Sequence, residues 1–228
     1  MALILQIETS TISCSVALSE NGQTLSFKEA AERNIHASSI TLFIEDVMKV
    51  ADKKLTDLDA VAVSMGPGSY TGLRIGVSTA KGLCYGLSIP LIAIDTLKAM
   101  AASIKINLGS GEHLYCPMID ARRMEVYSAI YNAELVPISP IAANVIEETS
   151  FSSILEKHKV VFFGDGAEKC IASLGNHPNA IFITDFTNSA VDHNAQAYDK
   201  YNTQLFEDLA YFEPYYLKDF VATTPKAV

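Results

Sequence analysis

Three extended runs stand at the start of this chain before any helical pattern appears. Leu3, Leu5 and Ile7 alternate, and Cys14-Ser15-Val16-Ala17-Leu18 forms a second run. Asn21-Gly22, a strong two-residue hairpin signal, leads into Thr24-Leu25-Ser26-Phe27-Lys28. Strands joined this tightly make an antiparallel meander. A dinucleotide-binding fold alternates strand and helix from the outset, so this beginning argues against one.

Over residues 37–53 the period becomes helical. Ile40, Phe43, Ile44, Val47, Val50 and Ala51 share a face, while Leu42 falls on the polar side beside Asp46 and Lys49. Residues 58–64 read as a buried strand, 66–87 as a glycine loop opening a helix, 90–94 as a strand and 96–105 as a helix. The predicted order is β-β-β-α-β-α-β-α. A Gly/Ser linker at 107–112 marks the expected boundary between lobes 1–106 and 107–228. In the second lobe, strands are expected at 114–119 and 125–131 around Asp120-Ala121-Arg122-Arg123. A short helix is expected at 151–157 and a strand at 160–163. Gly164-Asp165-Gly166-Ala167 turns into a helix carrying Cys170 and Leu174. Residues 181–183 read as a weak strand and 194–208 as a helix. The last 16 residues, with Pro214 and Pro225, read as an irregular tail. Both halves open on a hairpin of strands, a hint of duplication.

With 49% hydrophobic and 19% charged residues, the chain can bury a large core, which excludes intrinsic disorder. Residues 1–100 hold 8 basic and 10 acidic side chains; residues 101–228 hold 9 and 16. A net charge of −9 argues against a protein that grips RNA alone, because phosphate contacts dominate such binding. It leaves room for a subunit of a machine that acts on RNA. The four cysteines are far apart and sit in apolar stretches, so core positions are expected rather than disulfides or a metal site. No signal-like start and no membrane-length apolar run is visible. A cytoplasmic setting is expected.

Gly66-Pro67-Gly68-Ser69-Tyr70-Thr71-Gly72 follows a strand and starts a helix, where backbone amides favour an anion. It lacks the Lys-Ser/Thr of a Walker loop and has GxGxxxG rather than GxGxxG spacing. Asp95, 23 residues past Gly72, keeps the dinucleotide reading open on spacing alone. The loop is either a phosphate cradle or a bare turn. Ile7-Glu8-Thr9-Ser10 ends the first strand with an acid and two hydroxyls that suit a hydrated metal or a phosphate; satisfied turn groups are the alternative. Gly72, Gly76, Gly82 and Gly86 lie within about 120° on the following helix, with Thr79 and Leu83 in the same stripe. Each glycine costs about 1 kcal/mol there, so close packing is expected on that face. Arg74 and Lys81 project elsewhere, toward solvent or a partner's carboxylate. The five histidines show no metal-ligand spacing, and His36 is expected to be a satisfied helix-start residue. No serine-hydrolase elbow exists.

These pieces together resemble the TsaB (YeaZ) family of tRNA threonylcarbamoyladenosine biosynthesis proteins. They are Ile7-Glu8-Thr9-Ser10 with Cys14-Ser15-Val16-Ala17, the string from Gly66 to Gly76, Ile119 to Tyr127, Gly164 to Ala167, and Pro214-Tyr215-Tyr216-Leu217-Lys218. The resemblance implies the two-lobed actin/Hsp70/sugar-kinase fold, each lobe a ribonuclease-H-like unit, which removes the dinucleotide reading. It implies a relative, TsaD, that transfers the threonylcarbamoyl group and carries two metal-binding histidines as H-x-x-x-H. Thr96 and Met100 occupy those places here. The expectation is therefore a non-catalytic partner with no catalytic residues, no metal and no cofactor. Glu8, Thr9, Ser10, Gly66, Gly68, Ser69 and Gly72 would be vestiges of a phosphate site. The resemblance implies pairing with TsaD, joined by the ATPase TsaE, and contact with tRNA only through the complex. Ile40, Leu42, Gly76, Thr79 and Leu83 are the expected interface, used for a homodimer when the partner is absent. The alternative is a small-molecule kinase using Glu8 and the Gly66 to Gly72 loop.

Overall fold

The meander forms as expected. In the computed structural model, which describes residues 1–32, 35–108 and 112–218, β1 (Leu3–Glu8), β2 (Ser13–Glu20) and β3 (Gln23–Ala31) pair antiparallel around the Asn21-Gly22 turn. Asn21 and Gly22 both have positive φ, as such a turn requires. Then come α1 (His36–Val50), β4 (Ala60–Gly66), α2 (Tyr70–Leu87), β5 (Leu91–Asp95) and α3 (Thr96–Leu108). β4 joins β1 in parallel and β5 joins β4, giving the sheet order β3-β2-β1-β4-β5.

The second sheet repeats this plan. β6 (His113–Asp120), β7 (Glu125–Ser128) and β8 (Ala142–Val145) form a meander; β9 (Lys159–Phe163) and β10 (Ala180–Ile183) add in parallel beyond β6. The order β8-β7-β6-β9-β10 matches the first sheet strand for strand. The hint of duplication is thus a duplicated topology, two ribonuclease-H-like lobes of the actin/Hsp70/sugar-kinase class. The connecting helices of the second lobe, α4 (Ser152–Leu155) and α5 (Ile171–Leu174), have only four residues each.

β1 is buried on both sides. Leu3, Leu5 and Ile7 meet Ile40, Ile44 and Val47 of α1 and Val77 and Cys84 of α2. Ile4 points to the other face, with Ala99 of α3 and Ala197 of α6 (Asn194–Asn202). Four other apolar residues of α3, Leu97, Met100, Ala101 and Ile104, pack on the second sheet with Tyr115, Ile119 and Val161. α3 therefore lies between the sheets and spans the expected boundary after residue 106. From Ala190 the chain returns to the first lobe: α6 packs on β5, and Glu207 N donates to Leu91 O at 2.9 Å.

Several expectations need correction. Val50, placed on the apolar face of α1, is 75% exposed at the helix end. The 125–131 strand stops at Ser128, and Tyr131 instead makes isolated bridges to Tyr115 and Pro137. β8 was not expected. The 194–208 helix ends at Asn202, and Gln204 takes a left-handed φ of 57°. The glycines of the 107–112 linker, Gly109 and Gly111, and Pro225 of the tail lie outside the described residues. All four cysteines are buried thiols; burial pushes Cys84 up to about 11, and burial with the charge of Glu8 does the same for Cys14. Among the described residues no helix is long and apolar enough to cross a membrane.

Candidate functional site

β1 and β4 are parallel neighbours, so their C-terminal ends lie side by side. That brings the Thr9-Ser10 turn against the glycine loop. Ser69 N donates to Ser10 O at 2.6 Å, and Ser69 Oγ caps α2 by accepting from Gly72 N at 3.2 Å. A Cβ on Gly68 would stand 2.4 Å from Ser10 O, one on Gly72 2.1 Å from Thr9 O, and one on Gly76 2.3 Å from Thr9 Oγ1. These glycines are required because Thr9 and Ser10 stand where their side chains would go. The two candidate loops do come together, but Glu8, Thr9 and Ser10 are 0% exposed.

The seal comes from a residue the sequence reading passed over. A 3-10 turn, Ala190–His193, delivers His193, also 0% exposed, to Glu8: Nε2 lies 3.0 Å from Oε2. Glu8 Oε1 accepts from Ser10 N at 2.5 Å. Burial alone would raise the Glu8 carboxyl. The hydrogen bond and charge of His193, with the Ser10 contacts, outweigh it and hold Glu8 below the usual carboxylate range. Asn188 Nδ2 donates to Ser10 Oγ at 3.0 Å, Ala190 N to Ser15 Oγ at 2.7 Å, and Ser189 Oγ to Glu29 Oε2 at 2.8 Å. Ser189 and Asp192 form a reciprocal capping box. That S-x-x-D spacing was the available signal that a helical turn begins there and fixes His193. His36 sits as expected, 8% exposed with Nε2 3.2 Å from Ser13 O.

Thr96 and Met100, at the places implied for TsaD's metal-binding histidines, do not fit a metal. Thr96 Oγ1 accepts from Gly66 N at 3.2 Å. Met100 is 0% exposed, and its methyl lies 2.8 Å from where a Gly164 Cβ would stand. The position between the glycine turns of the two lobes is filled by a hydroxyl already in use and an apolar thioether. Among the described residues no cluster of three or more His, Cys, Asp or Glu could hold a metal.

The remaining family segments are tied into one rim. Lys169 pairs with Asp120 and Lys218 with Glu125, and Asp120 N donates to Asp165 Oδ1 at 3.0 Å. Tyr215 N donates to Met65 O at 2.7 Å beside Gly66. Arg74 lies 4.2 Å over the Tyr70 ring, and its Nε donates to Tyr216 OH at 3.2 Å. Lys81 donates to the carbonyls of Ala210 and Phe212 at 3.3 and 3.0 Å. Both cations contact the chain's own C-terminal segment, and Arg74 remains exposed to solvent as expected.

The five interface candidates divide. Ile40 is 2% exposed in the core, and Gly76 is buried against Thr9, so neither reaches the surface. Leu42 is 58% exposed. Thr79 and Leu83 are half-buried; Thr79 Oγ1 donates to Ile75 O at 2.9 Å, and Leu83 leans on the core. The glycine stripe divides as well. Among the described residues, Cβ atoms on Gly82 and Gly86 would meet nothing within 4 Å, and Tyr85 between them is 83% exposed.

The chain matches, over residues 28–211, the family model described as "TsaD: tRNA N6-adenosine threonylcarbamoyltransferase". It is 39% identical over 131 residues to the tRNA threonylcarbamoyladenosine biosynthesis protein TsaB of Escherichia coli (strain K12), covering 58% of this chain and 55% of that protein. The chain thus spans about half the length of that relative. The TsaB protein of Bacillus subtilis (strain 168) is 32% identical over 166 residues, covering 70% of this chain and 69% of that protein. The structure of YeaZ from Pseudomonas aeruginosa superposes with a TM-score of 0.81 at 25% identity, over 95% of this chain and 100% of that one. With its duplicated lobes, its buried Glu8-Thr9-Ser10 turn and these likenesses, the chain belongs to the TsaB (YeaZ) family.

Proposed function

We propose that this chain is a non-catalytic subunit in the synthesis of tRNA threonylcarbamoyladenosine. It holds a TsaD-type transferase against the outward face of α2 and the adjoining part of α1, and a TsaE-type ATPase joins that assembly. In isolation the same face pairs two copies of the chain, and tRNA is met only through the complex. The observation that carries this reading is the outer half of α2. Gly82 and Gly86 cost the isolated helix about 1 kcal/mol each against alanine, and nothing among the described residues uses the space they leave. Such a cost is offset when another surface comes close to the helix backbone. Tyr85 on that half and Leu42 on α1 offer exposed apolar area.

The kinase alternative would need the Glu8 loop open to Mg-ATP. Here Glu8, Thr9 and Ser10 are fully buried, and Ser69 N and Gly72 N already have acceptors within the loops. Threonylcarbamoyl transfer by the chain itself would need metal-binding histidines where Thr96 and Met100 stand.

Gly82→Glu provides the test, since its side chain starts in open space. Titration calorimetry against the TsaD-type transferase is expected to show binding weakened at least about tenfold, or 1.4 kcal/mol, with the thermal midpoint of the isolated chain not lowered. Unchanged affinity would sink the proposed face. Gly76→Glu is a poor probe, because its Cβ would strike Thr9 inside the fold.

A further inference from the structure

At the start of the parallel strands of the second sheet, away from the Asp120 and Gly164 turns, His113 opens β6 and is in register with Lys159, the first residue of β9. With Glu112, Lys157, His158 and Asn179 they line an open cleft of about 420 Å3. Lys157, His158 and Lys159 are exposed, and neither lysine has an ion-pair partner among the described residues. His113 is half-buried, and its Nδ1 is enclosed without a hydrogen-bond partner. Asn179 fixes the cleft wall: its side-chain Nδ2 donates to Leu155 O at 2.8 Å and its backbone carbonyl accepts from Val160 N at 2.9 Å.

Three other lysines of this half are already engaged. Lys169 is on Asp120, Lys218 on Glu125, and Lys200 donates to Ala93 O at 2.7 Å. In a half with 9 basic and 16 acidic side chains, unpaired cationic donors gather here, and Glu112 is the one acid on the lining. The Debye length in physiological salt is about 8 Å. Remote carboxylates are therefore screened, and the lining sets the local field.

We propose that this cleft binds a phosphoryl oxyanion, with Lys157 and Lys159 as charge-assisted donors and the imidazoles of His113 and His158 as further donors. Ammonium and imidazole N–H groups converging on one cleft match an acceptor-only, multiply charged oxyanion. The cleft is roomier than one phosphate needs, so free phosphate and the backbone phosphate of an RNA strand share this chemistry. The site lies outside the α1 and α2 face and stands or falls separately from the partner reading.

The test is NMR titration of the full chain with inorganic phosphate and, separately, with a short single-stranded RNA, following the imidazole signals of His113 and His158. Saturable shifts at those residues are expected. Lys157→Ala/Lys159→Ala should weaken binding at least about tenfold without loss of fold, since both side chains are exposed. RNA binding tighter than phosphate, with log K falling as log salt rises, would support the site and assign it to a strand. Comparable affinity per phosphate would support it and assign it to the free anion. The proposal is overturned if neither probe moves these signals at millimolar concentration, or if the double variant binds both probes as well as the parent.

Discussion

His193→Ala is expected to cost this chain about 3–5 kcal/mol of stability, measured by urea unfolding at neutral pH. The loss comes less from the histidine's contacts than from the carboxylate it leaves behind. Glu8 would remain fully buried, keeping only the Ser10 N–H. The pH dependence separates this cause from simple loss of packing. In the parent, Glu8 titrates below its ordinary value, so its contribution is present above about pH 4.3 and fades as pH falls through the lowered folded value. In the variant, burial without a partner raises Glu8, and protonation relieves the penalty. The gap between the two proteins should therefore narrow in acid. Glu8→Gln in the His193→Ala background should recover part of the loss at neutral pH, giving a non-additive double-mutant cycle. A gap constant from neutral to acid pH would count against the account.

Glycine-to-alanine substitution in α2 is expected to change sign along the helix. Gly72→Ala places a methyl 2.1 Å from the backbone oxygen of Thr9, which cannot move without displacing Glu8 and Ser10. A loss of about 3 kcal/mol or more is expected, the upper range for overpacking. For a chain of this size that lowers the thermal midpoint by roughly 6–12 °C. Gly82→Ala meets nothing and should stabilise by about 1 kcal/mol, raising the midpoint by roughly 2–4 °C. Thermal unfolding of the two variants decides it. Equal effects would mean that neither the Thr9 contact nor the open face matters.

The contrast marks where the sequence could and could not be read. Helical spacing put four glycines on one stripe, and the inference that something lies close to it was sound for Gly72 and Gly76. Spacing has no way to tell that the close neighbour is Thr9 and that it stops short of Gly82. The first meander and α1 were legible because local period and the Asn21-Gly22 turn decide them. Val50 departed from its pattern because the helix ends there, beyond the sheet it covers. The Thr9 and glycine loops could be paired from the strand order. His193 could not be joined to Glu8, since 185 residues separate them and an isolated histidine on a one-turn helix carries no periodic signal. Ile40 and Gly76 were assigned to a surface because a wheel shows which face a residue occupies, not whether that face is inside.

The same separation governs how this molecule comes into being. As the chain leaves the ribosome, the strands and helices of the first lobe appear early, yet one wall of that lobe arrives only with the Ala190–His193 turn and α6. At about 5–20 residues per second the wait is of order ten seconds or more. Through that interval Glu8 has no histidine, and the surface that α6 will cover stands open. Closing a loop of this length costs roughly 4–5 kcal/mol of chain entropy, which the late elements must offset at a single docking step. A nascent chain halted before residue 190 would hold a meander without its seal, and a chaperone would find its substrate there.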